Sequence, residues 1–379
     1  MQEFDSIRPY RDDEVPGVVA RVLANPELGK AAARILMPGV LRERLFGELL
    51  ANLLLRFKTR GVRSVADCQM LVAGYFEQLV ESTFEAVSVT GLDALDTGGT
   101  YLFMSNHRDI VLDSGLLNLR IYRAGHATCR MAVGDNLLQN ALAADLMRLN
   151  KSFIVERQVT GAKATLAALT RTSQYIRHSL QEGASVWIAQ REGRAKDGWD
   201  RTDPALLKML ALAYKDHEVP LQQLLTQVRL VPVSISYELD PNALRKAHEL
   251  KIRADQGGYE KSPVEDVDSM IMGILGAKGR AHLSFGVPLV AADVVGFEPE
   301  QVAMQLDRTI VGGMRVFPTH VAAAAALGDP VTQPAAVPPV PAIMAAYEAQ
   351  VAACPEPERQ HLLLQYANLL RNRSALALD

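Results

Sequence analysis

The densest group of chemically capable residues is SNHRDIVLDSGLLN at 105–118, a polar cluster between the apolar run TYLFM and a second apolar run of helical rhythm. A histidine acts as a general base near neutral pH when a carboxylate fixes its tautomer, and His107 has two nearby candidates, Asp109 and Asp113. One turn of helix beginning near Asp109 folds Asp113 back towards the imidazole. The plain alternative has Asp109 capping that helix and His107 lying on the surface. A second group, WIAQREGRAKDGWDRT at 187–202, sets Arg191, Arg194, Lys196 and Arg201 around Gly193 and Gly198. Guanidinium groups beside the N–H groups of a glycine-containing loop suit a phosphate. Standing alone, the same loop reads equally well as a solvated turn with scattered ion pairs.

The elements that must position these groups follow from periodicity. Seven short β-type runs, FEAVSVTG, TYLFMSN, ATCRMAVG, SFIVERQV, ASVWIAQ, RLVPVSISY and AHLSFGVPL, are separated by helical runs, and that alternation predicts an α/β layer structure. The fold class expected is α/β, a mixed central sheet covered by helices, with helical N- and C-terminal additions. Both chemical groups follow an apolar β run, and strand ends are where such folds expose reactive side chains. So does Arg157, at the end of SFIVER. Pro232, inside RLVPVSISY, reads as an edge or bulge device. Helical patterning fills residues 1–85, the sheet and its helices residues 86–290, and helices again residues 291–379, with a Pro/Ala-rich connector near 321–344 that repeated proline should keep extended. The last segment, with Leu362, Leu363, Tyr366, Leu369 and Leu370 on one face, reads as a docking helix.

Four blocks in this order, Asn106-His107 with Asp113, Phe153-Ile154 with Arg157, Glu192-Gly193-Arg194, and Val231-Pro232-Val233, resemble the glycerol-phosphate and lysophosphatidate acyltransferase family over about residues 85–290. Three departures are visible. The family sets four residues between His and Asp where this chain has five, so Asp109 competes with the favoured Asp113; SFIVER carries an extra residue before Arg157; and EGRAKDG replaces the family's Glu-Gly-Thr-Arg-Ser. The resemblance implies that His107, oriented by Asp113, takes the proton from an acceptor hydroxyl as it attacks an acyl thioester. It also implies that Asn106, Arg157, Glu192, Gly193, Arg194 and Lys196 contact substrate, the cations holding the acceptor's phosphate and the backbone near Gly193 facing the oxyanion. The expected acceptor is lysophosphatidate; glycerol 3-phosphate and a lyso-ornithine-type lipid are alternatives, and a catalytically silent lipid-binding scaffold is the reading from another class. The donor is acyl-CoA or an acyl carrier protein thioester.

Composition narrows the setting. At 379 residues the chain is long enough for two or three domains at about 150 residues each. Its 49% hydrophobic content implies a folded protein, and its formal charge of −3 argues against a nucleic-acid partner. The chain has no GxSxG elbow, and its three cysteines lie far apart with none beside His107, which disfavours a covalent acyl-enzyme. Neither histidines nor carboxylates cluster at ligand spacing, so no metal and no cofactor are expected. No run of about 18 apolar residues offers a membrane span. The amphipathic stretch 41–57, with Leu49 and Leu53 on its apolar stripe, is instead the candidate for surface contact with a membrane, which places the protein in the cytoplasm, peripheral at the inner face.

Overall fold

The computed structural model describes residues 2–36, 45–138, 140–217, 219–262, 265–330 and 334–378. All seven β-type runs form strands: β1 (Phe84–Thr90), β2 (Leu102–Ser105), β3 (Arg130–Gly134), β4 (Ser152–Val155), β5 (Val186–Ala189), β6 (Leu230–Tyr237) and β7 (Gly279–Phe285). Together with the intervening helices they make a mixed α/β protein. The chain divides into two compact units that are not consecutive segments: Met1–Gln78 joins Cys129–His178, and Leu79–Thr128 joins Ser179–Asp379.

The second unit contains five strands in the order β1-β7-β6-β2-β5. Strand β2 runs parallel to β5 and β6, β6 is antiparallel to β7, and β7 is parallel to β1. The inner strands β2 and β6 are buried at consecutive rather than alternate positions, as expected of strands covered on both faces. Pro232 is therefore not at an edge, because β6 lies between β7 and β2. The proline is tolerated because the antiparallel ladder to β7 begins only at Val233, and the missing N–H falls just outside it. Its carbonyl still accepts from Gly286 N at 2.9 Å.

The expected extended connector also differs. Its alanine run is helical in Pro318–Ala326, and a further helix begins at Pro341 and ends at Ala353. Pro318 and Pro341 stand in the first turns of these helices, where no N–H is required, while Pro334, Pro338 and Pro339 lie in the non-helical chain between them. The final helix, Glu356–Ala375, buries Leu362, Leu363, Tyr366, Leu369 and Leu370 against Leu239, Ala247, Val311 and Tyr347.

The first unit packs helices Val15–Ala24, Pro26–Leu36, Leu45–Lys58 and Ala141–Leu149 with the parallel pair β3–β4. Its apolar centre includes Val15, Val18, Val22, Leu28, Val62, Leu142 and Leu149. Asp145 accepts from Tyr10 Oη at 2.6 Å and from both arms of Arg21 at 2.8 Å, tying helix Ala141–Leu149 to the N-terminal residues. Of the 41–57 stretch, residues 41–44 lie outside the described residues; in Leu45–Lys58 the side chains of Leu49, Leu53 and Phe57 are 68%, 65% and 64% exposed. Among the described residues no helix is long and apolar enough to cross a membrane.

Candidate active site

Strand β2 stops at Ser105, and the next residue anchors its end. Asn106 is fully buried; its Nδ2 donates to the carbonyl of Ile235 at 2.9 Å and its Oδ1 accepts from the Ile235 N–H at 2.8 Å. That paired contact fixes the β2 terminus on β6 where the ladder between them ends. The chain then turns through His107–Val111 and enters helix Leu112–Arg123. Asp109 Oδ1 accepts from the N–H groups of Val111 and Leu112, both at 2.9 Å, and so satisfies the start of the helix.

Asp113, in the first turn of that helix, is fully buried and saturated with donors. Its Oδ2 lies 2.7 Å from His107 Nδ1 and accepts from the backbone N–H of Arg108 at 2.6 Å and of Asp109 at 2.9 Å. Its Oδ1 accepts from Tyr237 Oη at 2.8 Å. The two carboxylates therefore take different roles in the geometry: Asp113 meets the imidazole, and Asp109 caps. The extra residue between His107 and Asp113 is absorbed in the turn that Asp109 stabilises.

Electrostatics separates the same pair. Burial pushes the Asp113 carboxyl up, but the bond from His107 and the backbone N–H groups outweigh it and hold the pKa below its ordinary value. Burial first, and then the neighbouring Asp113 charge, push Asp109 above its ordinary value. Tyr237 is driven well above its usual range, first by burial and then by these carboxylates, so its phenol stays protonated and donating. With an ionised Asp113 accepting at Nδ1, the neutral imidazole carries its proton there and leaves Nε2 as its acceptor nitrogen. The ring is edge-on to Trp187 at 5.8 Å between centroids, and the His107 side chain remains 17% exposed.

The loop after β5 closes over this turn. Its Ala195 N–H donates to the His107 carbonyl at 2.8 Å, and left-handed Gly193 and Gly198, at φ 73° and 79°, give it its shape. Glu192 and Gly193 are exposed. Three of the four cations of the loop are already ion-paired: Arg191 with Asp197 at 3.8 Å, Arg194 with Asp266 at 3.7 Å, and Lys196 with the buried Glu249; Arg201 is exposed. Burial lowers the Lys196 ammonium to about 8 despite that partner. Arg157 belongs to the first unit, where its N–H donates to Asp135 Oδ2 at 3.0 Å and its guanidinium lies across the backbone of Gly134. The residues brought together in the second unit are thus Asn106, His107, Asp109, Asp113, Glu192, Gly193, Arg194 and Lys196.

Several participants went unread in the sequence. Tyr237 ends β6 two residues beyond Ile235 and shares its face, which is the one local signal for its contact with Asp113. Arg108 donates to the Gly198 carbonyl at 3.0 Å and pairs with buried Asp200, while Lys246 Nζ donates to the Arg108 carbonyl at 2.8 Å. Nothing in sequence spacing connects these. Beside them lies a cavity of about 40 Å³ lined by Arg108, Lys196, Tyr237, Asp240 and His320 among others. It is far below the ~300 to 1,000 Å³ usual for a small-molecule site, so it has room for water and none for an acyl chain.

Comparison with known proteins adds the following. A solved structure, the crystal structure of the 1-acyl-sn-glycerophosphate (LPA) acyltransferase PlsC from Thermotoga maritima, is similar with 13% sequence identity and a TM-score of 0.39, covering 75% of this chain and 92% of that one. Among curated proteins no match was found. The family model described as Acyltransferase matches residues 86–236, a span that runs from β1 to the penultimate residue of β6 and contains His107, Asp113, the 190–200 loop and Val231-Pro232-Val233. Over that span, about two-fifths of its length, the chain is similar to the acyltransferase family.

Proposed function

We propose that this protein transfers a fatty acyl group from a thioester donor, acyl-CoA or an acyl carrier protein, to the hydroxyl of a lyso-glycerolipid such as lysophosphatidate. The observation that carries the reading is the His107–Asp113 pair, joined at 2.7 Å at the end of β2 with Nε2 turned away from the carboxylate. Nε2 takes the acceptor's hydroxyl proton as its oxygen attacks the thioester carbonyl. The imidazolium formed is stabilised by the buried Asp113 charge. Collapse of the tetrahedral intermediate expels the thiolate, which recovers the proton from Nε2, so the ester and free thiol are produced with His107 restored. No side chain is acylated on this route.

The membrane supplies the lyso-lipid acceptor and takes up the product, and helix Leu45–Lys58 is the proposed contact. Leu49, Leu53 and Phe57 are exposed on it, beside the exposed cations Arg56 and Lys58. Such a helix binds through buried apolar area and through attraction to anionic lipid.

The test is release of free thiol from palmitoyl-CoA with and without lysophosphatidate, for wild type, His107→Ala, Asp109→Asn and Asp113→Asn. Acceptor-dependent release is expected in wild type and Asp109→Asn and lost in the other two. Release independent of acceptor makes the protein a thioesterase, and no release with any lyso-lipid or carrier-protein donor overturns the reading.

A further inference from the structure

Resting on the acyl-transfer reading, we propose that the C-terminal helix Glu356–Ala375, which lies outside the span matched by the acyltransferase family, is a positioning element of the active site that sets His107 through the 195–200 loop. The helix has an apolar face that docks it, but it also buries a polar seam, Gln365, Asn368 and Asn372, at 7%, 8% and 3% exposure. Buried amides cost free energy unless hydrogen-bonded, and apolar residues there would dock the helix equally well. Gln365 Nε2 donates to the carbonyls of Ala243 at 3.0 Å and His361 at 3.3 Å, whereas the two asparagines hold the loop. Asn368 Nδ2 donates to the Asp197 carbonyl at 2.8 Å and Asn372 Nδ2 to the Asp200 carbonyl at 2.7 Å. Between those two points the helix backbone meets Gly198, where an added Cβ would stand 2.2 Å from the Gln365 carbonyl oxygen.

The loop transmits that grip to the catalytic turn. Its Ala195 N–H holds the His107 carbonyl at 2.8 Å, its Gly198 carbonyl accepts from Arg108 at 3.0 Å, and its Asp200 pairs with Arg108, the residue next to His107. Among the described residues, Arg108 Nε and Asp200 Oδ1 are buried without a hydrogen-bond partner. A buried ion pair so incompletely satisfied is weak support for its own geometry and depends on its surroundings to stay in register. Here the surroundings include Asn372, bonded to the main chain of Asp200 itself. The helix therefore acts on the reaction without touching a reacting atom, by fixing where the imidazole sits.

The chain has two tryptophans, Trp187 against the His107 ring and Trp199 inside the loop, so fluorescence excited selectively at tryptophan reports on this region alone. The experiment compares wild type with Asn368→Ala, Asn372→Ala and the double variant of the full chain, by acrylamide quenching, far-UV circular dichroism and thiol release from palmitoyl-CoA. Expected are native helix content, increased tryptophan quenching, and a kcat lowered roughly tenfold or more with KM for the donor nearly unchanged, because small misplacement of a catalytic group acts on turnover. If the double variant fails to fold, the single variants carry the same expectation in smaller measure. Quenching at the wild-type level in folded variants overturns the proposal, whatever the activity. Increased quenching with kcat at the wild-type level also overturns it, while increased quenching in a protein that acylates no acceptor upholds the helix's grip on the loop and overturns the acyltransferase reading.

Discussion

Asp113 and Asp109 are four residues apart and chemically identical, yet their environments divide the work. Asp113 collects four donors, including His107 and Tyr237, while Asp109 faces two helix N–H groups and lies against Gly273. Asp113→Asn removes the charge that stabilises the imidazolium, and kcat is expected to fall by about 10² to 10⁴, measured by steady-state thiol release. Asp109→Asn keeps an oxygen for the cap and leaves kcat close to wild type. Tyr237→Phe removes one donor to the ionised carboxylate, which raises its pKa towards the ordinary value, with a stability loss of about 0.5 to 1.5 kcal/mol expected by urea unfolding at neutral pH. The sign of the Asp113 contribution is that of a lowered carboxylate pKa: its stabilisation is complete above the ordinary aspartate range, near pH 4, and is lost as pH falls through the lower folded value.

At the scale of elements, the loop between β5 and the helix at Pro204–Ala211 carries Arg194 and Lys196, two of the three cations expected to bind phosphate, and carboxylates of the neighbouring helices lie beside them, Asp266 being shared with Lys261 at 2.7 Å. Asp266, at the start of helix Glu265–Leu275, lies 3.7 Å from Arg194, and Glu249 of helix Ala243–Gln256 holds Lys196. A phosphate-bearing acceptor has to compete with these carboxylates. Asp266→Asn is therefore expected to lower KM for lysophosphatidate several-fold, while KM for a phosphate-free monoacylglycerol stays put; equal changes in both would separate Arg194 from the acceptor. In helix Leu45–Lys58, each exposed leucine inserted into lipid contributes about 1.5 to 3 kcal/mol. Leu49→Asp with Leu53→Asp should then reduce flotation with anionic vesicles by more than about tenfold. Flotation unchanged in a folded variant removes this helix from the contact.

The fold as a whole carries a buried lysine that the chemistry does not use. Lys278 is fully buried, with Nζ donating to Thr83 Oγ1 at 2.9 Å and to the Ile274 carbonyl at 2.6 Å, and it lies over the Phe84 ring. It thereby ties the entry to β1, the end of helix Glu265–Leu275 and the start of β7. Burial lowers its pKa to about 8 from 10.5. The unfolded chain holds this proton between about pH 8 and 10.5 and the folded chain does not, so stability rises with pH across that window. Below about pH 8 the charged ammonium costs the folded state a few kcal/mol, about 1.4 kcal/mol per pKa unit. Lys278→Met should raise the urea midpoint at pH 7 and flatten the rise between pH 8 and 10; a variant that unfolds at lower urea at pH 7 shows that the two hydrogen bonds outweigh the burial of charge.

Much of this protein was decided locally and is legible without coordinates. All seven strands were visible as short β-type runs, because strand and helix periods are properties of neighbouring residues. The placing of His107 after an apolar strand, and the docking face of Leu362, Tyr366 and Leu369, were legible for the same reason. Tertiary structure alone decided the rest. Whether Asp109 or Asp113 meets the imidazole turns on which carboxyl the turn and Tyr237 leave to cap the helix, a contact spanning 124 positions from Asp113 to Tyr237. Pro232 in an inner strand depends on where the ladder to β7 begins. The cations at Arg194 and Lys196 look available in sequence because their partners, Asp266 and Glu249, stand on helices more than fifty positions away. Asn368 and Asn372 gain their partners only from the loop they hold, which lies more than 170 positions away. Side-chain pattern sets which face of an element is apolar; only the packed chain determines which distant main-chain groups a buried polar face must satisfy.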